Sequence, residues 1–138
     1  MRKKPEKKVL QDVLITGYAA EGKALARLIT DEGEPGKVLF VESVVPGDRA
    51  DVWVTKNKKD WAEGRPLKIT QFSKDRVAPF CKHFGVCGGC KWQMLPYHKQ
   101  LEYKQQEAEQ NIRRIGRQEN FLMLPIAAAP HTTAYRNK

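Results

Sequence analysis

At 138 residues and a net charge of +9, the chain suits one domain, or one small domain with an appendage, and its basic balance fits a polyanionic partner. With 41% hydrophobic and 30% charged residues it is not a disordered chain. No apolar run approaches the roughly 20 residues that cross a bilayer, the basic start lacks a signal-peptide core, and three bunched cysteines make a poor disulfide scaffold. A cytoplasmic, monomeric protein with reduced thiols is expected.

The chain opens on a basic tail, residues 1–8. Five Lys/Arg stand there against Glu6, a phosphate contact or merely a solubilising arm. Val9 to Tyr18 is β-like, with Val13 and Ile15 on one face. After the turn at Glu21-Gly22, Ala24, Ala26 and Leu28 alternate with Lys23 and Arg27. Asp31 to Gly36 is a loop, and Lys37 to Val41 is a short apolar run of the kind buried on both faces. Pro46-Gly47-Asp48 turns the chain again. Arg49 to Lys56 then sets Ala50, Val52 and Val54 against Arg49, Asp51, Trp53 and Thr55. A hairpin at Asn57–Asp60 leads to a last strand, Trp61–Phe72, interrupted by Gly64 and Pro66. Five short strands at this spacing predict a mainly β fold, and a small closed barrel spares so short a chain its exposed edges.

Two tryptophans and a basic group gather near the last hairpin: Trp53, Lys56, Lys58, Lys59, Trp61, Arg65 and Lys68. Cations beside aromatic faces suit single-stranded nucleic acid. The plainer alternative is two packing tryptophans with lysines that blunt an edge strand.

Gly17 to Arg27, Val38-Leu-Phe-Val41 and Val45-Pro-Gly-Asp48 together resemble a TRAM domain. That resemblance implies an OB-like RNA-binding barrel over residues 9–74.

All three cysteines fall in Cys81-Lys-His-Phe-Gly-Val-Cys87-Gly-Gly-Cys90. The glycines permit positive φ in a tight knuckle. Three thiolates so close suggest metal, yet a [4Fe–4S] cluster ordinarily takes four protein ligands, and the radical-SAM spacing of three residues between the first two cysteines is absent. Zinc could recruit His83 or His98 as a fourth ligand. Idle or disulfide-forming thiols are the remaining alternative.

Read with their neighbours, Pro79-Phe80-Cys81, Cys87-Gly-Gly-Cys-Lys-Trp-Gln93, Tyr97 and Lys104 resemble the iron–sulfur segment, residues 79–95, of bacterial RNA uracil-C5 methyltransferases. The resemblance implies that Cys81, Cys87 and Cys90 ligate a [4Fe–4S] cluster whose fourth cysteine lies downstream. It further implies S-adenosylmethionine as methyl donor in the full-length enzyme and RNA, ribosomal by that resemblance, as substrate.

Pro96 at a first helical position predicts an amphipathic helix over 96–116, with a packing stripe through Tyr97, Leu101, Ala108, Ile112 and Ile115 and an ion pair between Glu109 and Arg113. Residues 117–138 read as extended. Their last four, Tyr135-Arg-Asn-Lys138, resemble a motif that opens the next domain of that family. No catalytic residue and no glycine-rich cofactor loop can be assigned, so these 138 residues are expected to be inactive alone. The alternatives are a stand-alone RNA-binding module with structural zinc, or an adaptor whose basic surface meets an acidic protein.

Overall fold

The computed structural model describes residues 8–135; most of the basic tail and Arg136–Lys138 lie outside the described residues. Six strands and one long helix follow in order: β1 (Val9–Leu14), β2 (Gly17–Tyr18), β3 (Ala24–Ile29), β4 (Pro35–Val41), β5 (Arg49–Asn57), β6 (Trp61–Gln71) and α1 (Tyr97–Arg114). The strands form one sheet in the order β1-β5-β6-β4-β3-β2. All pairs are antiparallel except β4 with β6, which is parallel.

The mainly β fold is therefore as expected, but the closed five-stranded barrel is corrected. No ladder joins β1 to β2, and the single strand expected from Val9 to Tyr18 is broken in two. Asp12 takes a positive φ of 50° where the β1–β5 register shifts between Leu10 and Val13. Beyond that bulge the chain leaves β5. Ile15 exchanges backbone hydrogen bonds with the turn before β5, donating to the Asp48 carbonyl and accepting from the Gly47 amide, and Thr16 then donates to the Leu25 carbonyl on β3. The two outermost strands are thus consecutive in sequence, and the sheet curls so that Ile15 and Thr16 bridge its edges.

The concave side holds the core: Val13, Ile15, Ala24, Ala26, Leu39, Val41, Ala50, Val52 and Ala62 are buried. Burying these apolar side chains is the main favourable term for so small a sheet. Their size matters as well. Alanine recurs on β3, β5 and β6 because a tightly curled sheet leaves little room, and at Gly64 an added Cβ would overlap Val52 Cγ1 and stand 2.9 Å from the Trp53 carbonyl oxygen. Strand β4 is not buried on both faces as expected. Leu39 and Val41 are buried while Val38 and Phe40 are only half-buried on the outer face. Among the described residues no second layer packs on that face, and Val38 and Phe40 lie beside outer-face neighbours such as Trp61.

After β6 the chain crosses to one end of the sheet. Buried Asp48 accepts from the Val45 amide (2.9 Å), the Ser73 amide (2.8 Å) and Arg76 Nη2 (2.6 Å), which ties the exit of β6 to the turn before β5. A second apolar cluster of Val45, Met94 and Leu95, flanked by Tyr18, Phe84, Trp92 and Tyr103, then joins the cysteine segment and α1 to the sheet.

Pro96 is the N-cap of α1 rather than its first helical residue, and its carbonyl accepts from the Lys99 and Gln100 amides. At the far end the left-handed residue is Arg117, not Gly116. Arg113 pairs with Glu109 at 3.0 Å, as the spacing predicted. The expected stripe packs only in part. Tyr97, Leu101 and Ile112 are half-buried, while Ala108 and Ile115 are exposed. The extended segment after α1 runs back along it, with the Ile126 amide donating to Gln105 Oε1 and the Ala129 amide to the Tyr97 hydroxyl.

Candidate cysteine loop and nucleic-acid face

The cysteine loop is pinned at its base and open at its tip. The Val77 amide donates to the Met94 carbonyl, closing the loop, and the Cys81 amide donates to Gln93 Oε1 at 3.1 Å. At the tip the Phe84 amide bonds the Cys81 carbonyl, and the Val86 and Cys87 amides both bond the His83 carbonyl. Gly85 and Gly88 take positive φ of 88° and 74°, and a Cβ at either would meet nothing within 4 Å. Conformation, not space, requires glycine there. Gly89 shows no positive φ, so only one glycine of the Cys87–Cys90 knuckle is needed for that reason.

All three thiols are free; Cys81 is half-buried, Cys87 and Cys90 exposed. Among the described residues no three Cys, His, Asp or Glu side chains are gathered as a metal-binding group, and His83 and His98 add no fourth member. The donor set fits a soft metal in kind: three thiols within ten residues, on an exposed loop with two unhindered left-handed glycines. Holding a metal would require the loop to draw those thiols together.

Trp92, two residues past Cys90, fixes the loop to the sheet. Its Nε1 donates to the Gly22 carbonyl at 3.2 Å, and its ring lies 4.7 Å from that of Tyr18. Gly22 has φ of 71°, and a Cβ there would stand 3.0 Å from the indole nitrogen. Lys91 Nζ donates to the Glu21 carbonyl beside it. The Tyr18 hydroxyl donates to the Val44 carbonyl, and Tyr103 packs edge-on against the Tyr18 ring. Burial first, and the nearby Tyr103 second, push the Tyr18 phenol well above its ordinary value of 10.0.

The basic–aromatic group predicted near the last hairpin lies on the outer face of β5 and β6 and on the hairpin between them. Trp53 is half-buried, in register with Val9 on β1 and Arg65 on β6. Lys56 Nζ lies 5.0 Å over the Trp61 ring, a cation–π contact that covers one face of that indole. Lys58 and Lys59 are exposed at the hairpin tip, where the Lys58 amide donates to the Trp61 carbonyl. Arg65 is exposed, and Lys68 is exposed opposite Asp51.

The structure adds residues that the sequence pattern did not point to. Parallel pairing of β4 with β6 sets Val38 beside Trp61 and Phe40 beside Glu63, and the Phe40 and Trp61 rings meet edge-on at 6.4 Å. Lys37 Nζ reaches across to Asn57 Oδ1 (2.7 Å) and the Lys58 carbonyl (2.6 Å), bracing the hairpin. Lys23 on the approach to β3 pairs with Glu63 at 3.4 Å. No local signal marks these neighbours, because they come from strands far apart in sequence.

Residues 10–67, most of this small curled sheet with its basic, aromatic outer face, match the TRAM domain family. The chain is also 48% identical over 120 residues to a protein of Bacteroides thetaiotaomicron named as an uncharacterized RNA methyltransferase, and 44% identical over 124 residues to one of the same description from Porphyromonas gingivalis. It is 36% identical over 125 residues to the 23S rRNA (uracil(1939)-C(5))-methyltransferase RlmD of Cupriavidus pinatubonensis. These matches cover 87%, 90% and 90% of the chain but only 25%, 25% and 27% of the relatives. The chain thus carries a TRAM match followed by a cysteine-bearing segment, is similar over most of its length to these RNA methyltransferases, and spans about a quarter of their length.

Among the described residues no helix is long and apolar enough to cross a membrane.

Proposed function

We propose that the chain is the RNA-binding, cluster-bearing N-terminal part of a cytoplasmic, monomeric, S-adenosylmethionine-dependent 23S rRNA uracil-C5 methyltransferase. The observation that carries this reading is one continuous match. A TRAM domain at residues 10–67 is followed by three thiols in residues 81–90, in a chain similar to RNA methyltransferases across both parts. The division into a basic tail (1–8), TRAM unit (9–74), cysteine segment (79–95), helix (96–116) and extended segment (117–138) belongs to the same proposal.

In this reading the TRAM unit grips substrate RNA, with Lys56, Lys58, Lys59, Arg65 and Lys68 neutralising phosphates and Trp53 and Trp61 offering ring surface. Cys81, Cys87 and Cys90 would hold three irons of a [4Fe–4S] cluster, with a fourth ligand from the remainder of the enzyme. S-adenosylmethionine and the catalytic groups belong to that remainder, so this chain supplies binding and no turnover.

Anaerobic purification followed by metal analysis tests the cysteine assignment. Iron with visible absorbance, lost on changing Cys87 and Cys90 to serine, is the expected result. Stoichiometric zinc in colourless protein would replace the cluster with a structural zinc site.

A further inference from the structure

Beside Phe40 the outer face of the sheet holds a shallow cleft of about 100 Å³, lined by Lys23, Phe40, Glu42, Thr55, Glu63 and Arg65. It is far smaller than the roughly 300 Å³ and upward of clefts that enclose a whole small molecule, and suits one planar ring. Its wall carries two cations and two carboxylates. Carboxylates repel a phosphate, so the charge pattern favours an uncharged ring with N–H donors inside and phosphates outside. Phe40 supplies a flat apolar floor, held by Leu25 and Glu63 as its cross-strand neighbours and by the edge of Trp61. Trp61 itself is a weaker platform, since Lys56 already lies over its ring. Glu63 Oε1 is 3.4 Å from Lys23 Nζ, which orients that carboxylate.

We infer that this cleft is a site for a single unstacked base of single-stranded RNA, stacked on Phe40 and read by Glu63, with guanine preferred. Guanine presents adjacent N1–H and N2–H donors on its Watson–Crick edge, a match for both oxygens of one carboxylate, whereas uracil offers a single N–H. Lys23 and Arg65, the two cations of the lining, would meet the flanking phosphates. This inference rests on the RNA-binding reading and specifies where and what that surface reads.

The test uses the 138-residue chain and two short single strands, all-uridine and all-uridine with one central guanosine, followed by fluorescence anisotropy at several salt concentrations. The parent chain is expected to bind the guanosine strand more tightly. Phe40→Ala and Phe40→Leu should both weaken binding, roughly tenfold, as loss of one stacked base does, and leave the salt slope unchanged. Phe40→Leu keeps the apolar bulk, so parent-like melting of that variant separates loss of the ring from loss of the fold. Glu63→Gln should abolish the preference for guanosine. Lys58→Ala with Lys59→Ala should instead lower the salt slope. If both Phe40 variants bind like the parent while the lysine pair weakens binding, the base site is wrong and the RNA reading stands. If the parent binds neither strand even at low salt, the RNA reading fails and takes the base site with it.

Discussion

Asp48 shows what a single residue does at the joint between the sheet and the segment that follows. Its carboxylate is fully buried, and its partners are two amides and Arg76. A buried ion pair is no guarantee of net stability, because desolvating both charges offsets much of their attraction. Removing one partner is different, since the other charge is left stranded. Arg76→Ala is therefore expected to cost about 3–5 kcal/mol, read from urea unfolding, and a variant as stable as the parent would show that the carboxylate finds other compensation. The sequence displayed Pro46-Gly47-Asp48 as a turn and Val45-Pro-Gly-Asp48 as part of a family resemblance, with no partner for the carboxylate. The guanidinium that completes it lies 28 residues on, beyond the reach of any local pattern.

Among the elements, β6 departs most from its sequence. Gly64 and Pro66 read as interruptions, yet Trp61–Gln71 is one continuous strand and the longest in the sheet. Pro66 sits where the β5–β6 register shifts between Asp51 and Val52, a place where a missing N–H is tolerated. Gly64 lies where β4 and β5 flank β6 and Val52 fills the space a side chain would need. Gly64→Ala should overpack the core and destabilise by about 1–3 kcal/mol, measured as a lowered urea midpoint with an unchanged slope. Strand positions on the whole were legible, because period-two alternation is written in neighbouring residues. The parallel pairing of β4 with β6 was not, and with it went the cleft beside Phe40. The break between β1 and β2 was hidden for a similar reason: Asp12 gives no sign of its left-handed backbone until β5 lies alongside.

For the molecule as a whole, the joint between sheet, cysteine loop and α1 is a small aromatic cluster around Tyr18. The folded-state pKa of Tyr18 lies above its unfolded value of 10.0, so burial stabilises the neutral phenol. That contribution is complete below about pH 10 and is lost as pH rises from there toward the folded-state value. Stability should accordingly fall with increasing pH above about 10, and Tyr18→Phe, which cannot ionise, should flatten that fall in pH-dependent melting. Equal slopes for parent and variant would place the alkaline sensitivity elsewhere. The cysteine motif was the most legible part of the sequence, since thiol spacing is local. The shape of its loop was not legible, because turns at Gly85 and Gly88 and the anchor at Gly22 are decided by the backbone and by a distant strand.

The link between the outer strands through Ile15 and Thr16 sets an order of events during synthesis. Val9 pairs with Trp53, so the first strand made must wait for the fifth before it has a partner. At roughly 5–20 residues per second that wait lasts a few seconds, during which β1 is an unpaired edge on a nascent chain. Strand β6 fills the gap between β4 and β5 last, and Cys81 emerges only after it. The sheet side of the loop's dock, Tyr18 and Gly22, is therefore made before the thiols, whereas Trp92, which fixes the loop to it, follows them in the chain.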